Sequence, residues 1–281
     1  MRRRLVVAAG GTAVSAALLL SGCGGSGTEG TENIRLTAGQ ALLKASEKTS
    51  QADTFKADLT VTGTGTGTSG RIHASGQFQL RPTLKFSAKL DEFTNDGRAV
   101  PGIQGQALFT GDALYAKAPK LARFVSGGKP WLKIDVKEAE QRTGFDVQRL
   151  INQVQKVNPA EQTKMFTGSK DARRVGTESI DGTETTHYTG TVTVKDALSR
   201  LDPEVREKVR RWLPANDDTT EIQFDVWTDG QNLPRKLVSK VNGGPGESST
   251  VTVLYSDYGK SFTVNAPPSD QVGGLSLTGG N

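Results

Sequence analysis

The sequence is poor in the residues from which most catalytic and metal sites are built. Its 281 residues include one cysteine and two histidines, His73 and His187. A single cysteine cannot form an internal disulfide, and neither an HExxH nor a CxxC spacing occurs. Both histidines fall on the polar side or at the edge of predicted strands, where exposed, non-catalytic histidines are expected. The sequence therefore predicts no enzyme activity, no catalytic residue, no metal site and no cofactor.

Concentrated positive charge is also missing beyond the N-terminus. The formal net charge is +5, but Arg2, Arg3 and Arg4 contribute three of the positive charges. The rest of the chain has no run of lysine and arginine and no basic patch interleaved with aromatic residues. No nucleic-acid partner is predicted.

One long apolar run is present, and it lies at the N-terminus. Leu5 to Leu20 carries no charge and follows the three arginines, which is typical of a secretory signal peptide and short for a membrane-spanning helix. The next residues, Leu20-Ser21-Gly22-Cys23, resemble a bacterial lipobox. The resemblance implies a signal peptide over residues 1–22 and cleavage between Gly22 and Cys23. Cys23 would then carry a diacylglycerol that anchors the exported protein to the extracytoplasmic face of the cell membrane.

Residues 23–35 are rich in glycine, serine and threonine and predict a flexible tether. The following segment, Ala38 to Ser50, has an apolar stripe and a capping residue, Thr37, so it predicts a helix. One domain is expected over residues 36–268, because no linker interrupts it. A disordered tail is expected over residues 269–281, where glycine recurs after Pro267-Pro268.

Most of this domain alternates apolar and polar residues with a period of two, which predicts strands with one buried face. In the first of them Phe55, Ala57 and Leu59 share one face. An Asp181-Gly182 pair between two such segments predicts a tight hairpin. The segments are 55–61, 71–80, 84–90, 103–110, 113–118, 131–136, 173–180, 185–194, 221–227, 235–241, 249–255 and 261–264.

Amphipathic segments with helical spacing fall between the strand runs, around residues 147–166 and 198–212. Strands with one apolar face need a cover, and these helices can supply it. The predicted fold class is α+β: a single strongly curved antiparallel sheet of about ten strands, forming a half-barrel, with amphipathic helices on its concave face.

The order of elements resembles that of the LppX/LprAFG family of exported lipoproteins over about residues 36–268. The likeness lies mainly in the hairpin that contains Gly176, Gly182, Thr185, His187, Tyr188 and Gly190, and in Asp257-Tyr258-Gly259 near the end. The resemblance implies a half-barrel like the lipoprotein carriers LolA and LolB. It also implies an apolar cavity for the acyl chains of lipids or glycolipids, which are carried in the cell envelope and handed to an envelope transporter or membrane protein.

The residues expected to line such a cavity are apolar residues on the helix faces and on the inward side of the strands. They are Phe78, Phe86, Leu150, Ile151, Val154, Val157, Phe166, Val205, Val209 and Trp212. A closed core requires the same residues, so two other functions stay open. One is a non-catalytic interaction or scaffold lipoprotein of the envelope with a filled core, and the other is an enzyme whose site the sequence does not reveal.

Overall fold

The computed structural model describes residues 36–65, 67–117, 126–135, 158–203, 206–207 and 219–274. The described residues form one compact unit. Among the described residues, no helix is both long enough and apolar enough to cross a bilayer.

The first helix, α1 (Ala38–Ser50), begins where the sequence predicts it. The Thr37 hydroxyl accepts a hydrogen bond from the Gln40 amide at 3.3 Å, and the Gln40 side chain accepts one from the Thr37 amide at 2.9 Å. This reciprocal capping box satisfies two amides that the first turn leaves unpaired. Ala41, Leu42 and Ala45 form its buried stripe.

The strands that the sequence predicts are present with one exception, since residues 261–264 are not a strand. One sheet contains thirteen strands among the described residues, more than the expected ten or so. They are β1 (Thr54–Gly65), β2 (Thr68–Gln79), β3 (Lys85–Asn95), β4 (Arg98–Ala99), β5 (Gly105–Phe109), β6 (Ala113–Lys117), β7 (Trp131–Asp135), β8 (Arg173–Ile180), β9 (Thr183–Thr193), β10 (Glu221–Asp229), β11 (Pro234–Asn242), β12 (Ser248–Ser256) and β13 (Val272–Gly274).

The sheet is curved and does not close. Its order is β13-β7-β6-β5-β3-β2-β1-β12-β11-β10-β9-β8, with the short β4 paired to β3. All neighbours are antiparallel except β13 and β7. The end strand β8 contains a bulge between Arg174 and Gly176, and the side chain of Val175 inside the bulge is exposed.

The expectation of a disordered tail over residues 269–281 does not hold for residues 269–274. These form a 3-10 turn (Ser269–Gln271) and β13. Val272 packs against a small apolar cluster of Ala113, Tyr115 and Trp131. The sequence did not predict this strand because the tail is rich in glycine. The strand is ordered by its contacts with β6 and β7.

Two further helices are described over their full length, α2 (Pro159–Phe166) and α3 (Val194–Ser199), and residues 203 and 206–207 are also helical. The Phe166 ring of α2 stacks on Phe224 of β10 with centroids 4.4 Å apart. The Ser46 hydroxyl of α1 donates a hydrogen bond to the Ala160 carbonyl of α2 at 3.0 Å. The helices therefore pack together on the apolar face of the sheet, which confirms the predicted fold class.

An aromatic row crosses this apolar face. Phe55, Phe78, Phe86 and Phe109 are direct cross-strand partners on β1, β2, β3 and β5. The centroids of successive rings lie 5.2, 6.1 and 5.7 Å apart. Gly76 makes this packing possible, because a Cβ at that position would lie 2.8 Å from the Phe78 ring and 3.1 Å from the Ser87 carbonyl oxygen.

Gly76→Ala is expected to lower the free energy of unfolding by about 1–3 kcal/mol, because the added methyl group overpacks the Phe78 ring. Gly70→Ala on the same strand is the matched control, since its Cβ would meet one backbone oxygen at an ordinary 3.5 Å. Urea unfolding of the two variants measures the difference. Equal losses in both would show that strand propensity, and not the Phe78 contact, sets the cost.

Candidate functional site

The aromatic row continues beyond β1 towards the end of β12. The Tyr255 ring lies 6.1 Å from Phe55, and Tyr258 lies 6.4 Å from Tyr255. The Tyr255 hydroxyl donates to Gln162 Oε1 of α2 at 3.3 Å, and burial raises the pKa of Tyr255 well above its usual range. The row is thus a continuous aromatic strip that is buried across five strands and ends at the half-buried Tyr258 after β12.

A second set of apolar residues on the same face is much more accessible. Leu59, Ala74 and Leu90 are cross-strand partners one row beyond the small residues Ala57, Gly76 and Ala88, and Val61, Ile72 and Phe93 form the next row. We call these six residues the apolar patch. Each is half-buried, as are Asp58, Thr60 and His73 on the polar face of the same strands.

Apolar side chains that face the helix side of a sheet are normally excluded from water. Around the apolar patch, the two faces of β1, β2 and β3 differ in polarity, but the side chains on both faces are half-buried. The apolar patch is therefore a surface that can still gain stability by being covered.

The structure brings together two of the sequence-predicted cavity residues. Phe78 and Phe86 are neighbours in the aromatic row, with exposed fractions of 7% and 2%. Phe166 belongs to the same apolar core but is not in the aromatic row, since it stacks on Phe224 of β10. The other predicted residues, Gly22, Cys23, Leu150, Ile151, Val154, Val157, Val205, Val209 and Trp212, lie outside the described residues.

Sequence reasoning missed Phe55 and Phe109 in the aromatic row and all six residues of the apolar patch. The information was present in the strand alternation except at Phe93, which reaches this face only because the pairing of β2 with β3 shifts register between His73 and Ala74. The alternation does not predict which of the apolar residues are fully buried and which stay accessible to solvent. The role of Phe78 and Phe86 as cavity-lining residues stays a prediction.

Two clefts of similar size border the tyrosine end of the aromatic row, one at Tyr258 and the other at Tyr255. The first, which we call the α1 cleft, has a volume of about 520 Å³ and lies between α1, the β10–β11 turn and the segment after β12. The second, of about 510 Å³, is lined mainly by polar-face residues of β12, β1, β2 and β3. In the second cleft Lys56, Asp58 and Lys89 are already paired, with Asp257, His73 and Asp91 respectively.

The two histidines lie on the polar face, as predicted, but His187 is not exposed. Its side chain is 12% exposed and stacks on Trp227 with centroids 4.2 Å apart. Its Nδ1 lies 3.0 Å from Glu178 Oε1, and its Nε2 lies 2.8 Å from Asp225 Oδ1. These contacts join β8, β9 and β10, so the residue ties the end hairpin to the sheet.

The segment after β12 is held by a carboxylate. Asp257 has a positive φ of 55°, and Gly259 one of 71°. The Asp257 carboxylate accepts hydrogen bonds from Lys260 Nζ at 2.7 Å and from Lys56 Nζ at 2.6 Å, and these bonds lower the pKa of Asp257 to about 2. The turn places Tyr258 so that its hydroxyl donates to the Pro234 carbonyl at 2.8 Å.

The sequence is similar to two curated proteins of Streptomyces, whereas no family model matches it. An uncharacterised 31.2 kDa protein of Streptomyces griseus, encoded between rplA and rplJ, is 30% identical over 167 residues, which are 58% of this chain and 53% of the relative. A candidate lipoprotein of Streptomyces coelicolor, SCO4650, is 28% identical over 166 residues, which are 58% of this chain and 49% of the relative. The chain thus spans about half the length of these relatives.

The fold is that of the LolA-like half-barrels, in which one unclosed, curved sheet carries a few helices. Within this class, LprF from Mycobacterium bovis superimposes with a TM-score of 0.50 at 14% identity, over 82% of this chain and 96% of LprF. The lipoprotein LppX of Mycobacterium tuberculosis gives a TM-score of 0.44 at 16% identity, over 81% and 98% of the two chains. The likeness to LprF confirms, at the level of the fold, the resemblance to the LppX/LprAFG lipoproteins.

Asp257→Asn is expected to remove an acid-sensitive part of the stability. Because the pKa of Asp257 is lower in the folded state than in the unfolded chain, its contribution is complete above about pH 4 and is lost as the pH falls towards 2. Urea unfolding between pH 6 and pH 2.5 should therefore show a smaller loss in Asp257→Asn than in the wild type. Asp270→Asn, at an exposed aspartate with no ion pair among the described residues, should follow the wild-type curve. Identical pH profiles for Asp257→Asn and the wild type would contradict the expectation.

Proposed function

We propose that the protein is an exported, membrane-anchored lipoprotein that binds and carries the acyl chains of lipids or lipoglycans within the cell envelope, without catalysing a reaction. The chains lie on the apolar face of the sheet, between its strands and the helices. The observation that carries this proposal is the apolar patch, whose six side chains stay half-buried on the helix side of β1, β2 and β3.

The energetics of the apolar patch suit this ligand. An acyl chain has no polar groups, so its affinity must come from apolar area removed from water, at about 25 cal/mol per Å². A surface of leucine, valine, isoleucine, alanine and phenylalanine side chains can supply that area without leaving a polar group unpaired. The strands below it are held by the buried aromatic row, so the surface is formed before the ligand arrives.

The anchor is proposed from the sequence. Residues 1–22 are the signal peptide and residues 23–35 the tether, and Cys23 carries the diacylglycerol. The binding domain is residues 36–268 together with the ordered residues 269–274. This places the protein on the extracytoplasmic face of the membrane, with membrane lipids as its nearest source of ligand and an envelope transporter or membrane protein as the recipient.

Purification of the full chain from its native membranes, followed by extraction and mass spectrometry, tests the proposal directly. We expect lipid with acyl chains to co-purify in a fixed ratio to the protein. A protein that carries no lipid beyond the diacylglycerol on Cys23, and whose Tm no added lipid raises, would fit the closed-core scaffold lipoprotein instead.

Ala74→Phe tests the position of the ligand. The added ring would occupy the centre of the apolar patch, so the bound lipid per protein should fall by at least half, while Tm stays equal or rises. Thr60→Phe, which adds a ring to the polar face of the neighbouring strand, should keep the wild-type lipid ratio. An unchanged lipid ratio in Ala74→Phe would place the ligand elsewhere.

A further inference from the structure

The α1 cleft carries an unbalanced positive charge. Lys44 and Lys48 are exposed and one helical turn apart, so their side chains point the same way from α1 into its lining. No carboxylate of the described residues lies within 4.0 Å of either ammonium group. Glu47, which lies between them in sequence, does not line the cleft.

Three aspartates near the cleft, unlike Glu47, already have cationic partners among the described residues. Asp53 accepts a hydrogen bond from Arg81 at 2.7 Å, and Asp229 pairs with Arg235 at 2.6 Å. Asp257 is shared by Lys56 and Lys260. Each of the three is therefore neutralised locally, and the charge of Lys44 and Lys48 remains available to a ligand.

The rest of the lining has a mixed character that narrows the ligand class. Ala52, Leu233 and the ring of Tyr258 provide apolar surface, and Gln51, Gln231 and Asn232 provide amide groups. Tyr258 is fixed by its hydrogen bond to Pro234 and by the Arg235 guanidinium 5.8 Å from its ring centroid. The two ammonium groups and the amides can bind an anionic polar head, and the apolar side chains can cover the carbons next to it. The lining therefore suits an amphiphile with an anionic headgroup.

We propose that the α1 cleft binds the phosphorylated, net-anionic headgroup of a lipid. Lys44 and Lys48 pair with the phosphate oxygens, the amides of the β10–β11 turn bind the headgroup hydroxyls, and the apolar wall covers the first carbons of the chains. The cleft, of about 520 Å³, is open to solvent, so a headgroup can enter it from outside. The inference rests on the proposed function, because it concerns a lipid, and it adds a second contact: the α1 cleft lies at the Ala52 end of β1, whereas the apolar patch begins at Leu59, beyond the buried Phe55.

Native mass spectrometry of the full chain, released from neutral detergent, tests this proposal. The protein is offered phosphatidylglycerol and phosphatidylcholine with the same acyl chains at equal concentration. We expect the wild type to bind more phosphatidylglycerol, and Lys44→Gln/Lys48→Gln to lower the ratio of bound phosphatidylglycerol to phosphatidylcholine about fivefold. Lys170→Gln/Lys240→Gln removes the same charge from exposed positions on other elements and should leave that ratio unchanged.

The outcomes separate this inference from the proposed function. If both lipids bind equally to the wild type, or if both double variants lower the ratio alike, the headgroup site is wrong while lipid carriage stands. If neither lipid binds, the proposed function fails as well. A third sample contains glycerol 3-phosphate; binding of this compound as strong as that of phosphatidylglycerol would assign the cleft to a free phosphate ester and overturn the lipid assignment.

Discussion

The pleat of a β-strand sends alternate side chains to opposite faces. In this protein that alternation makes one face of an unclosed sheet apolar, from β5 through β3, β2 and β1 to β12 and β10. A closed barrel buries such a face against itself, whereas an open sheet needs another cover. The helices α1, α2 and α3 supply part of that cover, through contacts such as Phe166 on Phe224. The apolar patch is what the described helices leave half-buried, so the fold itself generates the surface to which we assign the ligand.

The buried aromatic row has a different role from the apolar patch, although both lie on the same face. Its rings fill the space beside Gly76 and fix the relative positions of β1, β2, β3 and β5. Rigid strands keep the patch in place without a ligand, which reduces the ordering cost of binding. A single core of even density across the whole sheet would be more stable, but it would offer no site.

Much of the fold could be predicted from local patterns. The capping box at Thr37 marks the start of α1, and the strand alternation gives nearly every strand. The Asp181-Gly182 pair predicts its hairpin, since both residues adopt positive φ values, 48° and 77°. Each of these features depends on residues that are close together in sequence, so a single sequence contains them.

The remaining features depend on residues far apart in the chain. Lys44 and Lys48 line the α1 cleft together with Tyr258, which is more than two hundred residues away, and no periodic pattern predicts that they lie near each other. His187 looks like an exposed strand histidine because Glu178, Asp225 and Trp227, which surround it, come from two other strands. β13 is hidden by its glycines, and Val272 is ordered by a cluster on β6 and β7.

The bulge in β8 affects whether two molecules can pair through the edges of their sheets. The end strand of an open sheet is a template on which another chain could add a strand. In β8 the extra residue at Val175 interrupts the spacing of backbone donors and acceptors, and Arg173, Arg174 and Glu178 place charges along it. The anchor proposed at Cys23 would concentrate the molecules in two dimensions, where they would collide edge to edge far more often than in dilute solution. An edge that resists pairing would then let them reach a high surface density without polymerising into a continuous sheet.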